Sequence, residues 1–187
     1  MFILYAVVIG LVVGVLLGGR TAGLSEIKLR WGWVFLAGLA IQLVLFSDAV
    51  TERIGELGVP IYVGSTLAVA LVVAANYRIT GMPIVALGAF SNLAAIVANG
   101  GYMPTTPEAL AALGKTAKTV YSNSAVVPNP ALPWLTDIFA LPKWIPASNV
   151  FSVGDVLIGV GVVVVIVAAM RRSPGSLTPA PDGASAH

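Results

Sequence analysis

Cysteine is absent from the 187 residues, and histidine occurs only once, as His187. Without cysteine the chain can form no disulfide, thiolate nucleophile, iron–sulfur cluster or covalent haem attachment. The single histidine lies in a tail rich in proline, glycine, serine and alanine, so the rest of the chain has none for a Ser-His-Asp triad. Bis-histidine haem ligation and a histidine-rich zinc site need more than one histidine and are excluded as well. We therefore expect no metal and no cofactor, and any catalysis would depend on carboxylates, hydroxyls, amides or lysines.

Charged residues are scarce too. They make up 10% of the chain, while hydrophobic residues make up 58%, and a soluble domain carries about 25% charged residues. The formal net charge of +2 is small, and the basic residues form no stripe, so nucleic acid is not an expected partner. This composition is typical of an integral membrane protein surrounded by lipid.

Long apolar segments are what the chain has in abundance. A helix needs about 20 apolar residues to cross the hydrocarbon core, and five segments qualify: 2–18, 33–50, 59–75, 82–98 and 153–170. The first lacks a basic start and a convincing cleavage site, so we interpret it as a retained span and not as a secretory signal. We predict an all-α membrane protein, a five-span transmembrane helix bundle over residues 1–172.

The basic residues predict the orientation of this bundle. Six of them lie in connections on one side, and only Arg53 lies in the short connection on the other. The six are Arg20, Lys28, Arg30, Arg78, Arg171 and Arg172. Because short cytoplasmic loops are enriched in lysine and arginine, we predict a protein of the cell (inner) membrane with its N-terminus outside and its C-terminus cytoplasmic.

Two segments lie outside the predicted spans. Segment 99–148 contains seven prolines and predicts an outer cap with short helices. One would begin at Pro107, capped by Thr105 or Thr106, and a second would cover 133–141. Segment 173–187, rich in proline, glycine, serine and alanine, predicts a disordered cytoplasmic tail.

Polar side chains within the spans concentrate at the predicted outer side. Buried polar groups in a membrane are costly and usually face a bundle interior or a cavity. We therefore predict an outer-side polar mouth that binds a lipid head group, a small molecule or a partner protein. Its predicted binding residues are Asn92, Asn99, Asn149, Ser152 and Asp155.

Asp155 admits two interpretations. Ser152 and Asp155 have the spacing of a capping box, and a carboxylate in the first helical turn suits the positive end of the helix dipole. Alternatively, Asp155 ionises at the membrane surface in order to bind or to catalyse. Gln42 and Asn92 leave the same choice open, because either could simply hydrogen-bond a neighbouring helix.

Glycine recurs every four residues in the first span, at Gly10, Gly14 and Gly18. Such a face allows a second helix to approach closely. It predicts either packing within one chain or a possible homodimer through these three glycines.

Two stretches, "FSNLAAIVANGGYMP" (90–104) and "NVFSVGDVLIGVG" (149–161), resemble a family of uncharacterised bacterial multi-pass membrane proteins, a domain of unknown function. This resemblance covers most of the chain and implies no activity.

The stretch "FSVGDVLIGVG" is also similar to the last span of lipoprotein signal peptidases, which are aspartic hydrolases within the membrane. In that family F-N-x-A-D opens the last span, so Phe151 matches, Ser152 replaces asparagine, Gly154 replaces alanine, and Asp155 matches a catalytic aspartate. The resemblance implies an aspartic hydrolase as the alternative function.

The second aspartate of those peptidases lies in G-N-x-x-D-R. Asn92 matches the asparagine, but Ala95 and Ile96 stand where the aspartate and the arginine would be. Aspartic hydrolysis needs two carboxylates that share a proton. Under this alternative the second carboxylate would come from Asp48, Asp137 or Glu108. Asp48 is the best of these because it is predicted to lie at a similar depth, so Asp155 and Asp48 are the catalytic candidates.

Overall fold

The computed structural model describes residues 2–114, 124–146 and 148–172, so the predicted tail 173–187 lies outside the described residues. Described residues form seven α-helices and four two-residue strands. The helices are α1 (Phe2–Leu16), α2 (Gly32–Leu45), α3 (Asp48–Thr51), α4 (Gly58–Ala75), α5 (Met82–Ala98), α6 (Pro107–Ala112) and α7 (Val153–Met170). The chain is therefore mostly helical.

The five long helices pack side by side in the order α1, α7, α5, α4, α2. Among the described residues two apolar helical stretches are long enough to cross a membrane: Gly55–Ala75, which is a 3-10 turn followed by α4, and Val153–Met170, which is α7. Helices α1, α2 and α5 are apolar but shorter. Large apolar side chains on the flanking helices are exposed, for example Val8 at 58% and Leu43 at 78%. A water-soluble protein rarely exposes so many large apolar side chains on neighbouring positions, so this surface suits contact with lipid.

The helix predicted over 33–50 is divided. Helix α2 ends at Leu45, and α3 begins at Asp48. Between them the hydroxyl of Ser47 donates to the carbonyl of Val44 (2.7 Å), and the carbonyl of Ser47 accepts from the amide of Thr51 (3.0 Å). These local bonds end one helix and start the next, which the apolar pattern alone did not indicate.

The described residues between 99 and 152 cover one end of the helices. Helix α6 begins as predicted: Pro107 is its first residue, and the hydroxyl of Thr106 accepts from the amide of Ala109 (3.1 Å). The helix predicted over 133–141 is wrong. Only a 3-10 turn, Pro133–Leu135, forms there.

The remainder of that segment is extended because its backbone bonds to other parts of the cap. The amide of Asp137 donates to the carbonyl of Pro104 (2.9 Å). Strand β3 (Phe139–Ala140) pairs antiparallel with β4 (Val150–Phe151), and β1 (Met103–Pro104) pairs parallel with β2 (Ser124–Ala125). The cap thus combines two small sheets with one α-helix.

The two ends of the bundle differ in charge. The connections 17–31, 76–81 and 171–172 lie at one end, which we call the basic end. Bonds such as the one from the amide of Arg20 to the carbonyl of Met170 (2.7 Å) hold this end together. Its three connections contain six basic residues and one acid, Glu26. The opposite end, which we call the acidic end, comprises residues 46–57 and the described residues between 99 and 155.

Six of the eight acidic residues belong to the acidic end: Asp48, Glu52, Glu56, Glu108, Asp137 and Asp155. A buried apolar cluster at this end, centred on Leu45, Tyr62 and Ile96, joins α2, α4 and α5 beneath the cap. The cap is therefore fixed to the helices by a continuous core.

Candidate functional site

Asp155 lies in the first turn of α7, the helix that follows strand β4 after the single residue Ser152. The hydroxyl of Ser152 accepts from the amide of Asp155 (3.0 Å), and the carboxylate Oδ2 of Asp155 accepts from the amide of Ser152 (3.0 Å). Both halves of the predicted capping box are therefore present. This reciprocal pair satisfies two backbone donors that the start of a helix would otherwise leave without a partner.

Asn92 of α5 completes the arrangement from the neighbouring helix. Its amide nitrogen Nδ2 donates to Oδ1 of Asp155 (2.9 Å), and its oxygen Oδ1 accepts from the hydroxyl of Ser152 (2.8 Å). We call these three side chains the polar ring. Asn92 and Asp155 are half-buried, and Ser152 is completely buried.

Two glycines bring α5 and α7 close enough for the ring to form. A Cβ at Gly154 would overlap the side-chain oxygen of Asn92, and a Cβ at Gly88 would overlap the carbonyl oxygen of Gly154. Because no side chain occupies either position, the amide of Asn92 reaches both Ser152 and Asp155. The ring depends on this close helix approach.

The ring leaves the carboxylate of Asp155 with remaining capacity. Each of its oxygens accepts one hydrogen bond, whereas a carboxylate has about four acceptor positions in all. Among the described residues no lysine, arginine or histidine pairs with it. Asp155 therefore serves both as a cap and as a link between helices, and part of its acceptor capacity is left for a further donor.

Asn99 lies outside the ring and has a different partner. Its Nδ2 donates to the carbonyl of Ala131 (2.9 Å) and to that of Ala95 (2.7 Å), and its Oδ1 accepts from the amide of Ala131 (2.8 Å). Asn99 is the C-terminal cap of α5. It therefore attaches the cap segment to that helix, and its amide is fully used there.

The remaining predicted polar residues are dispersed. Asn149 is half-buried, and its backbone carbonyl accepts from the amide of Leu141 (3.0 Å) beside the β3–β4 pair. Gln42 donates to the hydroxyls of Ser65 (3.4 Å) and Thr66 (3.1 Å), which joins α2 to α4. Of the five predicted binding residues, the structure brings Asn92, Ser152 and Asp155 together.

Among the described side chains no second carboxylate is bonded to Asp155. The side-chain partners of Asp155 are Asn92 and Ser152, and neither is an acid. Ala95, at the position of the missing aspartate, is completely buried in the apolar cluster. Asp48 is the first residue of α3, and its side chain lies outside the described part of the chain.

One polar residue that the sequence reasoning overlooked is Asn76, at the end of α4. Its side chain is buried and makes the same kind of double bond as Asn99: Oδ1 accepts from the amide of Arg30 (2.8 Å), and Nδ2 donates to the carbonyl of Arg30 (3.0 Å). Nδ2 also donates to the carbonyl of Val72 (2.7 Å). The sequence does contain a signal for this role, because an asparagine directly follows both the third and the fourth apolar segment.

The glycine face of the first span packs within the chain at two of its three positions. Gly10 lies against Ile166 and Gly14 against Met170, both on α7, while a Cβ at Gly18 would meet nothing within 4 Å. Helix α7 is thus approached closely from both sides, by α1 and by α5. The homodimer through these glycines remains a prediction.

Comparison with known proteins gives one match. No curated protein and no solved structure matches the chain. Residues 26–167, which include most of the bundle and the whole polar ring, match a protein family of unknown function. With helices α2 to α6, most of α7 and the Asn92–Ser152–Asp155 ring inside the matched region, this chain belongs to the family of unknown function DUF5317.

Proposed function

We propose that the chain is a five-span protein of the cell (inner) membrane that binds the amine of a lipid head group at its acidic end. The observation that carries the binding proposal is the Asp155 carboxylate. It is half-buried, holds one hydrogen bond on each oxygen, and has no cationic partner among the described residues. An ionisable group in such a place is costly unless a ligand or function retains it.

The five-span arrangement is supported by the exposed apolar faces of the short helices. A 14-residue helix such as α2 is about 21 Å long at 1.5 Å per residue, while the hydrocarbon core measures about 30 Å. Trp33 is 74% exposed at the start of α2, and α3 follows its other end. Interfacial tryptophan and local bilayer thinning accommodate such a difference in length.

The orientation follows from the basic end. Its three connections carry six basic residues, so it would face the cytoplasm and the acidic end would face outwards. Since the chain has no cysteine, single cysteines report the topology cleanly. Glu56→Cys, at an exposed position of the acidic end, should react with an impermeant maleimide on intact cells, and Thr80→Cys should react only after lysis. The reverse pattern would overturn this orientation.

A primary amine is the head group best suited to the ring. The open acceptor positions of Asp155 favour a cation that can also donate hydrogen bonds, because charge-assisted bonds are about twice as strong as neutral ones. Phosphatidylethanolamine carries three N–H donors, and phosphatidylcholine carries none. The proposal therefore predicts preference for the ethanolamine lipid over a choline lipid with the same acyl chains.

Native mass spectrometry of the delipidated full chain tests this preference. Wild type should retain phosphatidylethanolamine over phosphatidylcholine, and Asp155→Asn should lose the preference while remaining folded. Glu56→Gln is the matched control, since it removes an exposed acid from the same end. Equal retention of both lipids by wild type would contradict the proposal.

The alternative, an aspartic hydrolase, makes a different demand on the same site. It requires a second carboxylate, for which Asp48 is the candidate, and a bond that is cleaved. A binding site predicts that Asp48→Asn leaves the head-group preference intact. Release of a cleaved lipid or peptide product that disappears in both Asp48→Asn and Asp155→Asn would replace binding by hydrolysis.

A further inference from the structure

An apolar cavity of about 110 Å³ lies near the basic end, among α2, α4, α5 and α7. Its lining includes Phe35 of α2, Val73 of α4, Val85 of α5 and Val162 of α7. Val73 and Val85 are buried, whereas Phe35 and Val162 are only partly buried. The cavity therefore extends from the interior of the bundle to its surface.

The lining offers a ligand no open polar group. Its one polar residue is Asn76, whose amide is fully engaged with the backbone of Arg30 and Val72. Apolar cavities of about 150 Å³ stay dry and admit a ligand the size of benzene. A cavity of this size and lining suits a segment of a hydrocarbon chain.

Two exposed arginines lie in the chain next to the cavity lining. Arg30 directly follows Leu29, which lines the cavity, and Arg78 comes two residues after Asn76. The guanidinium of Arg30 lies over the ring of Trp31, 4.5 Å from its centroid, and that of Arg78 bonds to the hydroxyl of Tyr77 (3.1 Å). Neither pairs with a carboxylate in the described part of the chain.

We infer that this cavity and these two arginines form a site for one anionic phospholipid, with an acyl chain in the cavity and the phosphate between Arg30 and Arg78. Basic groups beside a cleft between membrane helices suit an acidic head group. The inference rests on the proposed membrane placement but not on Asp155, which belongs to the opposite end.

The two parts of the site have different tasks. An acyl chain gains little by leaving the bilayer for an equally apolar cavity, so the cavity contributes less to the affinity than the arginines do, but it must accept the chain for the phosphate to lie beside them. The arginines supply the affinity, at about fivefold for each basic residue near the membrane surface. Removing both should therefore weaken binding by about twenty-five-fold.

Native mass spectrometry with defined lipids tests the head-group part. The delipidated full chain is titrated with dioleoyl phosphatidylglycerol and, separately, with dioleoyl phosphatidylcholine. Wild type should bind the glycerol lipid more tightly, and the double variant Arg30→Gln/Arg78→Gln should lose most of this preference. Arg53→Gln, at the acidic end, is the matched control and should behave as wild type. Equal affinity of wild type for both lipids, or an unaffected double variant, overturns the inference.

The cavity part has its own pair of variants on α7. Val162→Phe would fill the cavity from a partly buried position, while Val160→Phe makes the same change at a position 49% exposed and outside the lining. The first should reduce phosphatidylglycerol binding at least threefold, and the second should not. Equal binding by both variants overturns the cavity assignment.

Two further arms separate the outcomes. Glycerol 1-phosphate at the same concentrations should not stabilise wild type against heating, and stabilisation equal to that of the lipid would show a phosphate site without an acyl chain. Asp155→Asn should bind phosphatidylglycerol normally. A protein that remains in carbonate-washed membranes without preferring the anionic lipid overturns this inference alone, whereas a protein that the wash extracts overturns the membrane placement itself.

Discussion

The two ends of the bundle are fastened by the same chemical device in different surroundings. At the basic end Asn76 pairs with the backbone of Arg30, and at the acidic end Asn99 pairs with the backbone of Ala131. Each asparagine is the C-terminal cap of its helix and also donates to the carbonyl four residues earlier. Asn76 is buried and its bonds to Arg30 are partly buried, whereas Asn99 is half-buried and its bonds to Ala131 are exposed.

Glycine contacts on the two sides of α7 differ in a similar way. On the α1 side, Gly14 faces the thioether of Met170, a flexible side chain that can move. On the α5 side, Gly88 faces the backbone carbonyl of Gly154, which cannot move without shifting a helix. Together the two comparisons teach that the cost of changing a residue depends on the burial of its contact and on the freedom of its partner to move, and not on the residue type.

The largest expected effect is a loss of stability that differs between a glycine on the α5 side of α7 and a glycine on the α1 side. Gly88→Ala should lower the free energy of unfolding by about 1–3 kcal/mol, because the new methyl group overlaps backbone. Gly14→Ala should cost less, since Met170 can adopt another rotamer. SDS titration of the purified chain in detergent, followed by circular dichroism, measures both.

Gly64→Ala is the matched control for these two variants. A Cβ at Gly64, inside α4, would meet nothing within 4 Å, so this change should be neutral or should stabilise by up to about 1 kcal/mol. Equal losses for Gly88→Ala and Gly14→Ala would contradict the distinction between backbone and side-chain partners.

Removing each asparagine tests the comparison of the two ends. Asn76→Ala leaves the amide and carbonyl of Arg30 without their partner beside a buried position, and we expect a loss of about 2 kcal/mol. Asn99→Ala should cost about 1 kcal/mol, because water can reach Ala131. The same titration measures both variants, and a larger loss for Asn99→Ala would show that the cap depends on this link more than burial indicates.

Local features of this fold could be predicted from the sequence, and features that depend on distant partners could not. The Ser152–Asp155 box follows from a spacing of three residues, and the α6 start follows from Thr106 and Pro107. In contrast, the extended backbone after Pro133–Leu135 depends on Pro104 and on strand β4, which no local pattern contains.

The candidate site shows the same limit. Asn92 and Asp155 are 63 residues apart, and their hydrogen bond exists only because α5 packs on α7. The pairing of Asn76 with Arg30, 46 residues apart, was missed for that reason. The sequence pattern indicated the polar residues at the predicted outer side, but it could not decide which of them meet.

The smallest expected effect on stability concerns Asp155→Asn. Asparagine at position 155 has one side-chain oxygen and one side-chain nitrogen where the aspartate has two oxygens. Without a rearrangement its nitrogen would face another donor, either Nδ2 of Asn92 or the amide of Ser152. A rotation of the Asn92 amide by 180° removes this conflict. The side-chain oxygen at position 155 would then accept from the amide of Ser152, its nitrogen would donate to Oδ1 of Asn92, and Nδ2 of Asn92 would donate to the hydroxyl of Ser152, which has a second acceptor position. The side chains of the ring still meet, but the hydroxyl proton of Ser152, which is completely buried, loses Oδ1 of Asn92 as its acceptor. We therefore expect a loss of about 0.5–1 kcal/mol. Asp155→Ala removes both side-chain bonds and should cost about 1–2 kcal/mol.

Comparing Asp155→Asn with Asp155→Ala by SDS titration separates the hydrogen bonds of the ring from its charge. If Asp155→Asn is as unstable as Asp155→Ala, the ring requires the carboxylate itself, and a binding defect of Asp155→Asn could no longer be assigned to lost charge alone.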